Sequence, residues 1–212
     1  MSQALKKIGI FGGAFDPPHN AHVALAQIAV VELELDALHV IPTGQAWHKM
    51  RTLSPAEHRL AMARLAFQAL PRVQVDDREI KRAGPTFTID TLHALQAENS
   101  GAKLYLIMGA DQFAAFKQWH QWQQIMQIAI ICIASRLGFE RADSQFDAQN
   151  QLENRIVLLQ MPPMAVSATG IRQLLASGLG ENQRLTDLLP ATVASYIARH
   201  ELYKAPQTNP TD

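Results

Sequence analysis

The sequence predicts an α/β fold: a doubly wound parallel sheet with helices on both faces and a C-terminal helical segment. Three observations carry that reading. Short apolar runs alternate along the chain with longer stretches of helical period, the pattern of strand–helix–strand units. Several of those runs are apolar at every position, as in strands covered on both faces. No internal repeat or low-complexity linker divides the 212 residues, and a 48% hydrophobic content suits one core.

Ile8-Gly9-Ile10-Phe11 reads as the first buried strand, closed by Gly12-Gly13. Residues 20–35 then carry Val23, Ala26, Ala29, Val30 and Leu33 at helix spacing, and Leu38-His39-Val40-Ile41 forms a second strand ended by Pro42. Ser54-Pro55-Ala56-Glu57 combines an N-cap, a proline at the first helical position and a glutamate at N3. That capping box is expected to open a helix reaching about Leu70. Val73-Gln74-Val75 is strand-like and residues 88–97 are helical. Residues 103–108, 128–134 and 155–159 are the remaining strands, and helices are expected over residues 167–176 and 190–200. Residues 136–154 are polar and less periodic, a loop with some helix. The tail, residues 205–212, is expected to be disordered, which leaves residues 1–204 as one domain.

Composition excludes several classes. Nineteen basic residues balance nineteen acidic ones, and a sequence-independent nucleic-acid binder needs a basic excess. The lone cysteine, Cys132, forbids an internal disulfide and a cysteine-based zinc cage. The longest clean apolar run, residues 128–134, is too short to cross a bilayer, and no apolar segment follows Lys6 and Lys7 as in a signal peptide. A soluble protein of a reducing, cytoplasmic compartment is expected, with no nucleic-acid or membrane partner.

Two segments could carry chemistry. The first strand-to-helix turn reads Gly12-Gly13-Ala14-Phe15-Asp16-Pro17-Pro18-His19-Asn20-Ala21-His22. Ligands of open α/β sheets sit at the carboxyl ends of strands, glycines let backbone approach an anion, and a helix start offers unpaired N–H groups. His19 and His22 share a helix face. Such a pair suits phosphate or metal, and with no HExxH or other third-ligand motif phosphate is favoured. Neither GxGxxG nor GxxxxGK occurs. The second segment is Ser167-Ala168-Thr169-Gly170-Ile171-Arg172, where two hydroxyls and a guanidinium at a helix start would suit a polyphosphate, or simply cap the helix.

Gly-Gly-x-Phe-Asp-Pro-x-His-x-x-His after the first strand, with Ser-x-Thr-x-x-Arg near the C-terminus, resembles the HxGH-type nucleotidyltransferase superfamily. The stretch from Asp77 to Leu92, centred on Gly84-Pro85-Thr86-Phe87-Thr88, together with Gly109-Ala110-Asp111, Trp119 and His48-Lys49, is similar to the bacterial nicotinate-nucleotide adenylyltransferases. The likeness runs over residues 8–203 in matching order. One departure is Ala21, where the superfamily places a glycine between the two histidines.

The resemblance implies a Rossmann-like domain that joins ATP and nicotinate mononucleotide into nicotinate adenine dinucleotide and pyrophosphate, with Mg²⁺ held mainly by the ATP phosphates rather than by protein ligands. It places ATP on Gly12, Gly13, Phe15, His19, His22, Ser167, Thr169 and Arg172. His22, His19 and Arg172 are the catalytic set: His22 donates to the α-phosphate, while Ser167, Thr169 and Arg172 take the β,γ-phosphates. Nicotinate mononucleotide falls to His48, Lys49, Thr86, Asp111 and Trp119. Lys49 reaches its phosphate, Trp119 stacks on the pyridine ring and backbone N–H groups around Thr86 receive the carboxylate. Residue chemistry agrees. The nucleophile is a phosphate monoester, whose second pKa of about 6 leaves it anionic near neutrality, so no general base is needed. Asp16 reads as a turn residue before Pro17, and Trp119 has a competing reading as a core or contact tryptophan sharing a helix face with Trp122. The rival readings are a pantetheine-phosphate or nicotinamide-nucleotide transferase of the same superfamily, a nucleotide-binding regulator, and a metal-dependent hydrolase.

Overall fold

Successive side chains of a strand point to opposite faces, and in this chain both sets are apolar. On β1 (Lys7–Gly13), Ile8 and Ile10 enter one hydrophobic cluster and Phe11 the other. On β4 (Lys103–Gly109), Leu104, Leu106 and Met108 divide in the same way from Tyr105 and Ile107. A computed structural model describes residues 5–44, 53–136, 155–178 and 184–205. It contains a six-stranded sheet in the order β3-β2-β1-β4-β5-β6, with β2 at Ala37–Pro42, β3 at Val73–Val75, β5 at Ala129–Arg136 and β6 at Ile156–Met161. Every neighbouring pair is parallel. The expected doubly wound, Rossmann-like α/β architecture is what the chain forms.

Helices α1 (Asn20–Glu32), α2 (Ala56–Phe67), α7 (Ala168–Ala176) and α9 (Ala191–Arg199) contribute buried residues to one face. Helices α4 (Thr88–Glu98), α5 (Ala110–Ala114) and α6 (Trp122–Ile128) cover the other, with a 3₁₀ turn at Phe116–Gln118. The sequence reading missed α5, α6 and that turn, and also the short α3 (Arg78–Lys81) and α8 (Arg184–Leu188). Their few residues carry too little periodicity to register. Gly9 shows how closely the α1–β2 connection lies on the sheet. A Cβ there would stand 2.5 Å from Leu35 Cδ1 and 2.7 Å from Leu38 Cδ1, an overpacking that typically costs about 1–3 kcal/mol.

Several boundaries differ from expectation. α1 stops at Glu32 because Glu34 turns left-handed (φ 53°), while Leu33 and Leu35 stay buried beyond the helix and so prolong the apolar pattern. α2 ends at Phe67, before Leu70, and Ile128 closes α6 rather than opening β5. Ser54 does not cap α2. Pro55 is the N-cap, its carbonyl accepting the N–H groups of His58 (3.1 Å) and Arg59 (3.2 Å), which moves Glu57 to N2. Ser54 is committed elsewhere: its N–H donates to Asp16 Oδ2 (3.2 Å), and its carbonyl accepts Arg59 Nε (3.0 Å). The stretch 137–154 and most of the tail lie outside the described residues. Among the described residues no helix is long and apolar enough to cross a membrane.

The sheet order places β1 beside β4, with β2 and β3 wound to one side and β5 and β6 to the other. A crevice opens at the carboxyl ends of strands flanking such a switch point.

Candidate active site

A cleft of about 1010 Å³ lies there, near the top of the usual ligand-pocket range and suited to two nucleotides at once. Gly12, Gly13, Phe15, His19, His22, Thr86, Asp111, Trp119, Ser167, Thr169 and Arg172 all line it. His48 and Lys49 lie outside the described residues.

β1 ends on this cleft, and the Gly13 carbonyl accepts the Thr43 N–H (2.8 Å) from the end of β2. A methyl group at Gly12 would meet no atom within 4 Å, so its surface faces open space. Phe15 takes the left-handed region (φ 48°) and drives its ring, 1% exposed, against Phe11, Phe67 and the edge of His22 (centroids 5.1 Å). Its side chain therefore supports His22 from below.

His19 is the N-cap of α1, and its ring stacks on His22 with centroids 3.7 Å apart and planes 20° apart. The His19 backbone N–H donates to His22 Nδ1 (3.1 Å). That contact assigns the tautomer: Nδ1 is the acceptor, so the proton of the neutral ring sits on Nε2 as a donor. Burial pushes the His19 pKa down to about 4, which leaves it neutral at pH 7. Its Nδ1 is buried with no hydrogen-bond partner among the described residues.

The second helix start closes the cleft from the other end of the chain. Ser167 caps α7 as expected, its Oγ accepting the Gly170 N–H (3.1 Å). Arg172 sits one turn on, donating from Nη1 to the Asp16 carbonyl (2.7 Å) and from Nη2 to Thr169 Oγ1 (3.0 Å). The fork thus docks α7 onto the first turn. Asp16 does more than turn the chain. It is 1% exposed and accepts Tyr203 Oη at 2.6 Å and the Ser54 N–H.

On the opposite wall stand Thr86, Phe87, Asp111, Trp119 and His120. Trp119 and Trp122 do not share a helix face. Trp119 ends the 3₁₀ turn in extended backbone, Gln121 is left-handed, and α6 begins at Trp122. Both pack on Phe116, and of the two Trp119 lines the cleft. The Asp111 carboxylate folds back over the start of α5, and a Cβ on Gly109 would lie 2.7 Å from its Oδ1. Glu79 is 8% exposed, and burial raises its pKa against opposing hydrogen bonds from Thr91, Thr43 and Thr86 and the charge of Arg82. The sequence reading passed over Glu79, although it stands inside the quoted 77–92 stretch, and set aside His120, whose ring lies 4.4 Å from that of Phe87. It also passed over Arg59, 2% exposed, whose Nη1 binds the carbonyls of Ala14 (3.1 Å) and Thr43 (2.7 Å). A charged residue three before Met62 on an apolar helix face was the available signal.

Among the described lining residues Arg172 is the only permanent cation, against Asp16, Glu79 and Asp111. Among the described residues no group of three or more His, Cys, Asp or Glu is placed to hold a metal ion.

Residues 10–174 match the cytidylyltransferase-like family model. A protein of Albidiferax ferrireducens described as a probable nicotinate-nucleotide adenylyltransferase is 52% identical over 94% of this chain and 99% of its own. One of Bordetella petrii with the same description is 43% identical over 94% of this chain and 100% of its own. The nicotinic acid mononucleotide adenylyltransferase of Plasmodium falciparum, solved with NaAD, superposes with a TM-score of 0.76 at 20% identity. The match covers 93% of this chain and 97% of that one, a likeness of fold.

Proposed function

This chain belongs to the cytidylyltransferase-like family and, within it, to the nicotinate-nucleotide adenylyltransferases, and from that premise we propose how its own residues carry the reaction. The reaction transfers the adenylyl group of ATP to nicotinate mononucleotide, giving nicotinate adenine dinucleotide and pyrophosphate. The mononucleotide phosphate oxygen attacks the α-phosphorus in line, the bond to the bridging β-oxygen breaks, and no covalent enzyme intermediate forms. Catalysis then rests on positioning and on stabilising charge at the α-phosphate.

The observation that supports this reading best is the single cleft joining the two anion-binding helix starts to the Thr86–Trp119 wall. The ATP phosphates lie across Gly12 and Gly13, with His19 offering a neutral imidazole. His22, held as the Nε2–H tautomer by the His19 N–H, donates to the α-phosphate oxygen as its charge grows. Arg172 already spends part of its fork on Asp16 and Thr169, and this fixes its plane. Its guanidinium, with the hydroxyls of Ser167 and Thr169, takes the β,γ-phosphates that leave. Trp119 supplies a ring face for the pyridine, and backbone N–H groups near Thr86 read the carboxylate. Asp111 organises ribose or phosphate, and Lys49, next to His48 in the sequence, is the proposed contact to the mononucleotide phosphate.

A divalent cation such as Mg²⁺, carried by ATP's own oxygens rather than by a protein site, would neutralise phosphate charge that Arg172 alone leaves unbalanced. Residues 1–204 act as one catalytic domain, since helices from both ends of the chain cover one sheet, and the reaction belongs to the cytoplasm. The test is pyrophosphate release from ATP and Mg²⁺ with nicotinate mononucleotide, nicotinamide mononucleotide or phosphopantetheine offered in turn. Rapid release with the first alone is expected. A faster reaction with either of the others overturns the assignment.

A further inference from the structure

The turn that carries His19 and His22 is gripped from residues far along the chain. Tyr203 Oη donates to Asp16 Oδ1 at 2.6 Å across 187 positions, and Asp16 is 1% exposed. The second oxygen of the same carboxylate accepts the Ser54 N–H, so both oxygens hold distant backbone or side chain. Arg59, almost fully buried, binds the carbonyl of Ala14 just upstream. Between these anchors Phe15 is kept in the left-handed region (φ 48°), which a bulky residue occupies only when its surroundings impose it. Tyr203 is itself left-handed (φ 65°) in the turn after α9, beyond residues 10–174 matched by the family model.

We propose that Tyr203 is a positioning residue for the ATP turn, acting through the buried carboxylate of Asp16 to fix the backbone that sets His19 and His22. Burial, with the Asp16 carboxylate beside it, raises the Tyr203 pKa, so the hydroxyl stays a donor throughout the working pH range. Removing it leaves a buried carboxylate oxygen short of a charge-assisted bond and loosens residues 14–19 rather than the ring contacts of the tyrosine. The kinetic part of this inference rests on the adenylyl-transfer reading, and the structural part does not.

The test compares wild type with Tyr203→Phe and with Ile197→Val, a change in buried α9 that trims packing without touching the hydroxyl. Calorimetry with Mg²⁺ and ATP should give a dissociation constant raised about tenfold for Tyr203→Phe and within twofold of wild type for Ile197→Val. The KM for nicotinate mononucleotide should stay within twofold in both. Amide hydrogen exchange in the ligand-free protein should rise over residues 14–22 in Tyr203→Phe alone, with β4 and β5 unchanged. In an Asp16→Asn background Tyr203→Phe should add less than threefold, because both changes weaken one bond. Unchanged ATP affinity or unchanged exchange in Tyr203→Phe overturns the proposal, as does an equal effect of Ile197→Val. A wild type that turns over no mononucleotide overturns the adenylyl-transfer reading instead, while the exchange result still decides the grip of Tyr203.

Discussion

His22→Ala separates the structural contact that the imidazole makes from the catalytic role proposed for it. Nδ1 accepts the His19 N–H at 3.1 Å at the start of α1, and His22 lines the cleft, where its Nε2–H is the proposed donor. Loss of the first contact leaves one helix-start N–H to water and costs about 1 kcal/mol of stability. Loss of the second, under the proposed mechanism, removes a donor to charge that develops in the transition state, and such a loss typically costs about 10²–10³ in rate, or roughly 3–4 kcal/mol. The ring also stacks on His19 and meets Phe15 edge-on, so some of the stability loss comes from packing. His22→Asn splits the two roles, since its short amide can still accept the His19 N–H but cannot reach the position of Nε2. Steady-state kinetics should show kcat and kcat/KM falling together by about 10²–10³ in both variants, with the KM for ATP within about fivefold. Urea unfolding should show His22→Asn closer to wild type than His22→Ala. A defect confined to the KM for ATP, or an asparagine variant with wild-type kcat, would refute the transition-state role.

Arg172→Lys keeps the charge but cannot span the Asp16 carbonyl and Thr169 Oγ1 while presenting N–H groups to phosphate, so ATP KM should rise and kcat fall with the mononucleotide KM nearly unchanged. Full activity in that variant would reduce the α7 start to ordinary capping. Nicotinate mononucleotide should be preferred over the nicotinamide form by at least about a hundredfold in kcat/KM, because an amide sets donor against donor in a pocket of N–H groups. Trp119→Ala should weaken both substrates and preserve that ratio, and a ratio near unity in wild type would contradict the carboxylate reading. His19 has a folded pKa of about 4 against an ordinary 6.5, so the unfolded chain binds the extra proton between those values. Stability should therefore fall as pH drops from 6.5 to 4, by roughly 2–3 kcal/mol from this group. Urea titrations of His19→Gln should show a shallower acid slope, and an unchanged slope would rule out a buried neutral imidazole.

What the sequence determined by itself was local or periodic. Ile8 to Phe11 and Leu104 to Met108 announce strands because period-two burial on both faces leaves no polar position, and Ser167 caps its helix because its partner lies three residues away. The order of the glycine turn, the 77–92 stretch and the Ser-x-Thr-x-x-Arg segment was enough to place the chain in its family. Tertiary structure decided what those segments do to one another. Ser54 reads as a cap in isolation, yet Pro55 holds the N-cap position and the Ser54 N–H donates to the buried Asp16 carboxylate, 38 positions away in the chain. Trp119 and Trp122 are three apart and suggest one helical face until Gln121 breaks the helix between them. The tautomer of His22, the plane of Arg172 and the grip of Arg59 and Tyr203 on the first turn depend on groups tens to nearly two hundred positions apart, or on a backbone N–H that only the folded cap aims. Periodicity and propensity encode contacts within a few residues of chain. Contacts between remote segments are set by the sheet that brings them together, and the first strand-to-helix turn is held mostly by the second kind.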